Sequence, residues 1–280
     1  MLSSSSLGIC SSRPFTSKQT LAYLKEAYIL DWFTLGVLGV VLPLLLKTSF
    51  HPFRRQVALD DPQFSHPFLK DIVSTQVCTL SSLLIPCLVG FLVEWRLVRR
   101  TKHWIPAIFN LHIFVLGLLE ATLCTVTITE LLKLVAGRPR PYFLSVCEPI
   151  DGSTLNCRGD TAQIEEARKS FPSGHTSLAF ASAIYLTLYL FKVLWMSEVF
   201  YRTWHLWLLL VPLLLACLVG VSRTVDYHHH FSDIVAGALL GTVISIMTFI
   251  GRFGCSEWNH KRESNYDDNN GYSITGDQQV

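Results

Sequence analysis

Charge is scarce in this chain of 280 residues: Asp, Glu, Lys and Arg together make up 16% of it, where soluble domains carry about a quarter. No lysine-rich or arginine-rich run occurs and the formal net charge is only +2, so no nucleic-acid partner is expected. The eight cysteines are scattered and form no CxxC pair, which leaves no basis for a zinc ribbon or a thioredoxin-like site. No HExxH signature of a zinc hydrolase is present. The first twenty residues are rich in Ser and Thr and lack the apolar core of a cleavable signal. There is no internal repeat, and no Asn-x-Ser/Thr sequon.

Apolar residues are what the chain has in quantity. Half of it is hydrophobic and the mean hydropathy is +0.37. A helix needs ~20 mostly apolar residues to cross a bilayer, and six segments qualify: Tyr28–Leu46, Ile72–Val93, Ile105–Leu132, Thr176–Leu194, Trp204–Val221 and Ile234–Ile250. Trp32, Trp95, Trp104, Trp195 and Trp204 sit near the ends of these runs, as interfacial tryptophans do. The expected fold is therefore an all-α integral membrane protein of six transmembrane helices. Residues 25–252 form the membrane domain, flanked by a polar N-terminal tail (1–24) and a polar, disordered C-terminal tail (253–280). With both tails cytosolic, Arg96, Arg99, Arg100 and Lys102 form a short basic loop on the cytosolic side, the placement favoured for cations.

Three polar clusters interrupt the apolar pattern. Lys133-Leu-Val-Ala-Gly-Arg-Pro-Arg140-Pro141 closes span three, Pro172-Ser173-Gly174-His175 opens span four, and the third runs from Ser222-Arg223 to His229 and Asp233 between spans five and six. The loops after spans three and five emerge on the same side by parity, so the clusters can converge. Lys133, Arg140 and Arg223 are permanent cations, and guanidinium forks match phosphate oxygens. The first turn after Pro172-Ser173-Gly174 points free N–H groups outward, a ready anion site that glycine lets an anion approach. His229 and Asp233 are four apart, so a sixth helix beginning early would let the carboxylate hold the imidazole. A second histidine, His175, can protonate a leaving oxygen.

Each cluster also has a plainer reading. Lys133 and Arg140 can be interfacial cations with buried stems, and Ser173 can simply cap a helix. His228, His229 and His230 with Asp226 and Asp233 can be metal ligands. Glu130 can be a helical partner that orients Lys133. Glu120, deep in span three, is an intramembrane ionisable group of unassigned role.

Together the clusters resemble the signature of the type 2 phosphatidic acid phosphatase family, the lipid phosphate phosphatases: K-x6-R-P, P-S-G-H and S-R-x5-H-x3-D. Lys133 to Arg140-Pro141, Pro172 to His175, and Ser222-Arg223 to His229 and Asp233 match at every position. The resemblance spans roughly residues 25–250. It implies His229 as the nucleophile that forms a phosphohistidine, Asp233 as its orienting group and His175 as the general acid. Lys133, Arg140, Ser173, Gly174 and Arg223 would bind phosphate, with no metal or other cofactor. The site would face the extracellular or luminal side of a plasma membrane or of an endomembrane such as ER or Golgi. Substrates would be phosphatidate, lysophosphatidate or sphingosine 1-phosphate. A polyisoprenyl or diacylglycerol pyrophosphate phosphatase, a sugar phosphatase or phosphotransferase, a transporter and a non-catalytic scaffold are the alternatives. Arg138-Pro139 duplicates the Arg140-Pro141 pair, and the x6 spacing favours Arg140. Cys147 and Cys157, in the loop between the first two motifs, are expected to face an oxidising compartment and to pair.

Overall fold

The structure, a computed structural model, describes residues 29–102, 104–150, 156–196 and 202–254. The N-terminal tail and residues 255–280 of the C-terminal tail lie outside the described residues, as does Tyr28.

Six helices are long and apolar enough to cross a membrane. They are α1 (Ile29–Leu46), α2 (Thr75–Thr101), α3 (Trp104–Ala136), α6 (Gly174–Met196), α7 (Thr203–Val225) and α8 (Phe231–Phe249). Two short helices, α4 (Phe143–Cys147) and α5 (Thr161–Glu166), lie in the connection between α3 and α6. A π-helical turn (Val37–Val41) interrupts α1, and another (Ile250–Gly254) extends α8 past the expected boundary at 252.

Local chemistry sets the helix ends. The Ser74 hydroxyl accepts the Val77 N–H and starts α2. Gly137, at φ 52°, stops α3 by donating its N–H to the Lys133 carbonyl. A Cβ at Gly137 would lie 1.9 Å from the Phe53 carbonyl oxygen, so only glycine fits. This turns the chain sharply after Lys133 and aims the segment 138–141 back over the bundle.

Helix α6 is the axis of the bundle, packed by α2, α3, α7 and α8. Its contact with α8 is the closest. Gly237, Gly241 and Ser245 recur at every fourth position and face Ser173, Ser177 and Ala181: a Cβ on Gly237 would lie 2.6 Å from the Ser173 carbonyl oxygen, and one on Gly241 2.2 Å from that of Ser177. The Ser245 hydroxyl donates to the Ala181 carbonyl at 2.5 Å. Small residues at this spacing allow backbone-to-backbone contact, from which membrane helices draw their packing energy. The outer faces of α2, α7 and α8 expose Leu, Ile, Val and Phe, as lipid contact requires.

The ends of the bundle differ. At one end lie all the described tryptophans (Trp32, Trp95, Trp104, Trp195, Trp204 and Trp207), each exposed, with Arg96, Arg99, Arg100 and Lys102 beside them. Glu120 belongs to this half: Arg252 donates from Nε to Glu120 at 2.8 Å and from Nη1 to Asp31 at 2.6 Å. The pairing ties α1, α3 and the turn after α8 together and gives Glu120 a structural role. At the opposite end, α4 and α5 form a cap with its own small core of Tyr142, Phe143, Leu144, Val146 and Ala167. A disulfide joins Cys147 to Cys157 within it.

Candidate active site

Helix ends meet the cap around a cavity of about 480 Å³. Lys133 reaches it from the last turn of α3, Arg223 from the last turn of α7, Gly174 and His175 from the first turn of α6, and His229 from the turn before α8. Arg140 arrives from the segment between α3 and α4, held by its N–H donating to the Ala167 carbonyl at 2.8 Å. All three cations are at most 9% exposed. Gly174 admits Lys133 closely, since a Cβ there would lie 2.9 Å from Nζ. Ser173 stands behind the wall, fully buried, its hydroxyl accepting from Thr176 at 3.0 Å. Of the two neighbouring arginines, Arg140 lines the cavity, whereas Arg138 turns away to pair with Asp233 at 2.6 Å.

The R-x5-H spacing is explained by a tight turn. Tyr227 takes φ 58°, and the N–H groups of His228 and His229 both donate to the Arg223 carbonyl at 3.1 Å. Arg223 and His229 thus become neighbours through the main chain. Helix α8 begins only at Phe231, so His229 precedes it and does not share a helix face with Asp233; that expectation is corrected. The imidazole Nδ1 lies 3.9 Å from Asp233 but 2.7 Å from the carbonyl oxygen of Ser170. A carbonyl can only accept, so Nδ1 carries the proton and, in the neutral ring, Nε2 carries the lone pair. Burial, together with the charges of Arg140 and Lys133, pushes His229 down to about 3 against the pull of Asp233. The ring is neutral at ordinary pH and its nucleophilic nitrogen is available.

Asp233 is fully buried and fully engaged. It accepts from the Ser170 hydroxyl at 2.6 Å, the His230 N–H at 3.0 Å and Arg138 at 2.6 Å. Ser170 therefore bridges the carboxylate and the imidazole, its hydroxyl on one and its carbonyl on the other. It is the position that sequence reasoning missed; its place just before Phe171-Pro172 was the available signal. His175 is anchored by its helix, yet its Nε2 is buried with no hydrogen-bond partner among the described residues, and so is the Nε of Arg140. Two buried nitrogens without partners on one cavity are costly unless a ligand completes them.

The triple-histidine segment does not gather as a metal site. His229 turns to the cavity, while His230 faces the Pro139 carbonyl at 3.2 Å. Asp71, Asp226 and His228 do place ligand atoms within 4.8 Å of one another. Arg223 already supplies positive charge there, 3.0 Å from Asp71 and in close contact with Asp226. Burial alone would push the Asp226 carboxyl up, but the His228 hydrogen bond and Arg223 hold it below the ordinary range.

Six apolar helices define an integral membrane protein, with buried cations and two histidines gathered on a cavity at one end. The sequence pattern of the PAP2 superfamily matches residues 114–256, and the chain belongs to that superfamily. It is 37% identical over 230 residues to lipid phosphate phosphatase 1 of Arabidopsis thaliana, covering 78% of this chain and 66% of that protein. Lipid phosphate phosphatase 2 of the same plant is 33% identical over 236 residues (80% and 76%). Diacylglycerol pyrophosphate phosphatase 1 of Saccharomyces cerevisiae is 32% identical over 204 residues (69% of each chain). No solved structure matches the chain.

Proposed function

We propose that this chain hydrolyses lipid phosphate monoesters of the phosphatidate, lysophosphatidate and sphingosine 1-phosphate type through a phosphohistidine on His229. The observation that carries the reading is the cavity itself: a free imidazole lone pair, three buried cations and two unpartnered nitrogens gather around one space. The names of the relatives, lipid phosphate phosphatases and a diacylglycerol pyrophosphate phosphatase, support a lipid phosphate as that anion.

The phosphoryl group sits against Lys133, Arg140, Arg223 and the first turn of α6 at Gly174, with Ser173 supporting that turn from behind, and opposed charge stabilises the transition state without a bound metal. His229 Nε2 donates its lone pair to phosphorus as the ester P–O bond breaks. The departing alkoxide takes a proton from His175 Nε2. A water then attacks phosphorus, the P–N bond returns its electrons to the ring, and His175 accepts the water proton. Asp233, acting through Ser170 and across 3.9 Å, favours the positive charge that the phosphorylated ring carries. The site faces the extracellular or luminal side of the plasma membrane or an endomembrane. The basic loop at the opposite end supports that orientation, and so does a disulfide on the site's own side.

The test compares two variants on two substrates. His229→Ala loses activity on both lysophosphatidate and p-nitrophenyl phosphate. His175→Ala loses ~10²–10⁴-fold on the alkyl ester, the usual worth of a general acid, and less on the aryl ester, whose phenolate leaves unaided. A phosphoenzyme formed by His229→Ala, or the reverse substrate pattern, refutes these roles.

A further inference from the structure

Each of the three cations that would hold phosphate already has a carboxylate on it. Glu130 lies 2.6 Å from Lys133 Nζ, Glu166 lies 2.5 Å from Arg140 Nη2, and Asp71 lies 3.0 Å from Arg223 Nη1. All three carboxylates line the same cavity as the cations. None belongs to the motifs read from the sequence, and they come from three separate segments: the last turns of α3, the end of α5 and the loop before α2.

Charge counting makes this arrangement a problem for a phosphate. With Asp226, also on Arg223, and Lys169, 3.6 Å from Glu166, four carboxylates face four cations, so a dianion added to the intact cluster leaves the site with two negative charges in excess. Exposure separates the four. The side chain of Asp226 is 1% exposed and fixed, whereas those of Asp71, Glu130 and Glu166 are 31%, 38% and 54% exposed. The three can swing into water as an incoming phosphate takes over their buried cations; Asp226 cannot.

We propose that Asp71, Glu130 and Glu166 are displaceable stand-ins for the substrate phosphate. They occupy its cations in the empty enzyme, yield them on binding, and return to expel inorganic phosphate after hydrolysis. This rests on the phosphatase reading of the same site. The exchange keeps Lys133, Arg140 and Arg223 paired throughout, so no bare cation is ever buried. It also makes these carboxylates determinants of how tightly the enzyme holds phosphate, in the direction opposite to a supporting role. Removing a stand-in tightens phosphate binding, whereas removing a structural partner loosens it.

The test uses the detergent-purified full chain and the isosteric variants Glu166→Gln and Asp71→Asn. Hydrolysis of a short-chain lysophosphatidate is followed against inorganic phosphate and orthovanadate as competitive inhibitors. The phosphate inhibition constant falls about tenfold in Glu166→Gln, the order expected for one carboxylate charge close to a bound anion at a partly exposed site, and KM falls with it. An inhibition constant that rises or stays within twofold overturns the proposal. Should Glu166→Gln fail to fold, Asp71→Asn is read by the same criterion. A wild-type protein that hydrolyses no lipid phosphate and binds neither inhibitor overturns the phosphatase reading and this proposal with it. A wild type that is inhibited, with variants no tighter, overturns this proposal alone.

Discussion

Replacing Gly237 by alanine is expected to cost catalysis more than any contact with substrate would suggest. The new methyl group would start 2.6 Å from the Ser173 carbonyl oxygen and 3.2 Å from the Ser177 nitrogen, both backbone atoms that no side-chain rotation can move. Close-packed interiors do not absorb such an overlap locally, so α6 and α8 must part by about 1 Å. His175 rides on the first turn of α6 and His229 immediately precedes α8, so the gap transfers to the distance between them. A displacement of that size at reacting groups costs about 10²-fold in rate. The assay is phosphate release by detergent-purified protein, with thermal unfolding measured alongside. Gly251→Ala is the control, because a Cβ there meets nothing within 4 Å, and it should behave as wild type. A Gly237→Ala protein as active as the Gly251→Ala protein refutes the idea that the α6–α8 seam sets the catalytic distance.

Ser170→Ala removes the hydroxyl on Asp233 but keeps the carbonyl on His229, so kcat should fall roughly tenfold, the worth of one charge-assisted hydrogen bond, with KM little changed. Ser170→Thr should restore much of the loss, and an equal rise in KM would show a merely structural role. His229 is held near 3, below its ordinary value, so the unfolded chain binds the extra proton between about pH 6.5 and 3. Stability is full above that window and falls with pH inside it, by up to about 1.4 kcal/mol per pH unit. Melting curves from pH 7 to 4.5 should show a shallower slope in His229→Gln, and identical slopes would contradict the neutral buried ring. Cys147 and Cys157 should resist an impermeant thiol reagent on intact cells until a reductant is added. Free thiols before reduction would exclude the bridge, and labelling that requires permeabilisation would reverse the topology.

The membrane fold was legible because the bilayer imposes a length that few other structures share. Thr75–Arg100, Ala107–Ala136 and Gly174–Trp195 overlap the runs read from hydropathy; only their ends moved, where a polar residue such as Lys133 continues a helix past its apolar stretch. The convergence of Lys133, Arg140, His175, Arg223 and His229 followed from parity alone. What parity cannot supply is which polar loop residue meets which. Asp71 touches Arg223 across 152 positions and Ser170 touches Asp233 across 63, and nothing local distinguishes either from a solvated neighbour. The His229–Asp233 pair forms, at 3.9 Å, without the shared helix face that its spacing suggests. A spacing of four suggests one helical face, but α8 starts at Phe231, and Ser170 links the imidazole ahead of the helix to the carboxylate in its first turn.

The tryptophans carry a consequence for the membrane in which the protein sits. Every described tryptophan lies at the interface remote from the cavity, and interfacial indoles resist leaving the headgroup layer. The described tryptophans therefore moor the bundle at that surface. When the hydrocarbon layer thickens or thins, the mismatch is taken up by tilt or local bilayer deformation, and it falls on the end away from those tryptophans, which holds Lys133, Arg140 and His229. The height of the cavity relative to the plane of lipid phosphates thus depends on membrane thickness, so the same chain presents its cavity at a different depth in a thin bilayer than in a thick one.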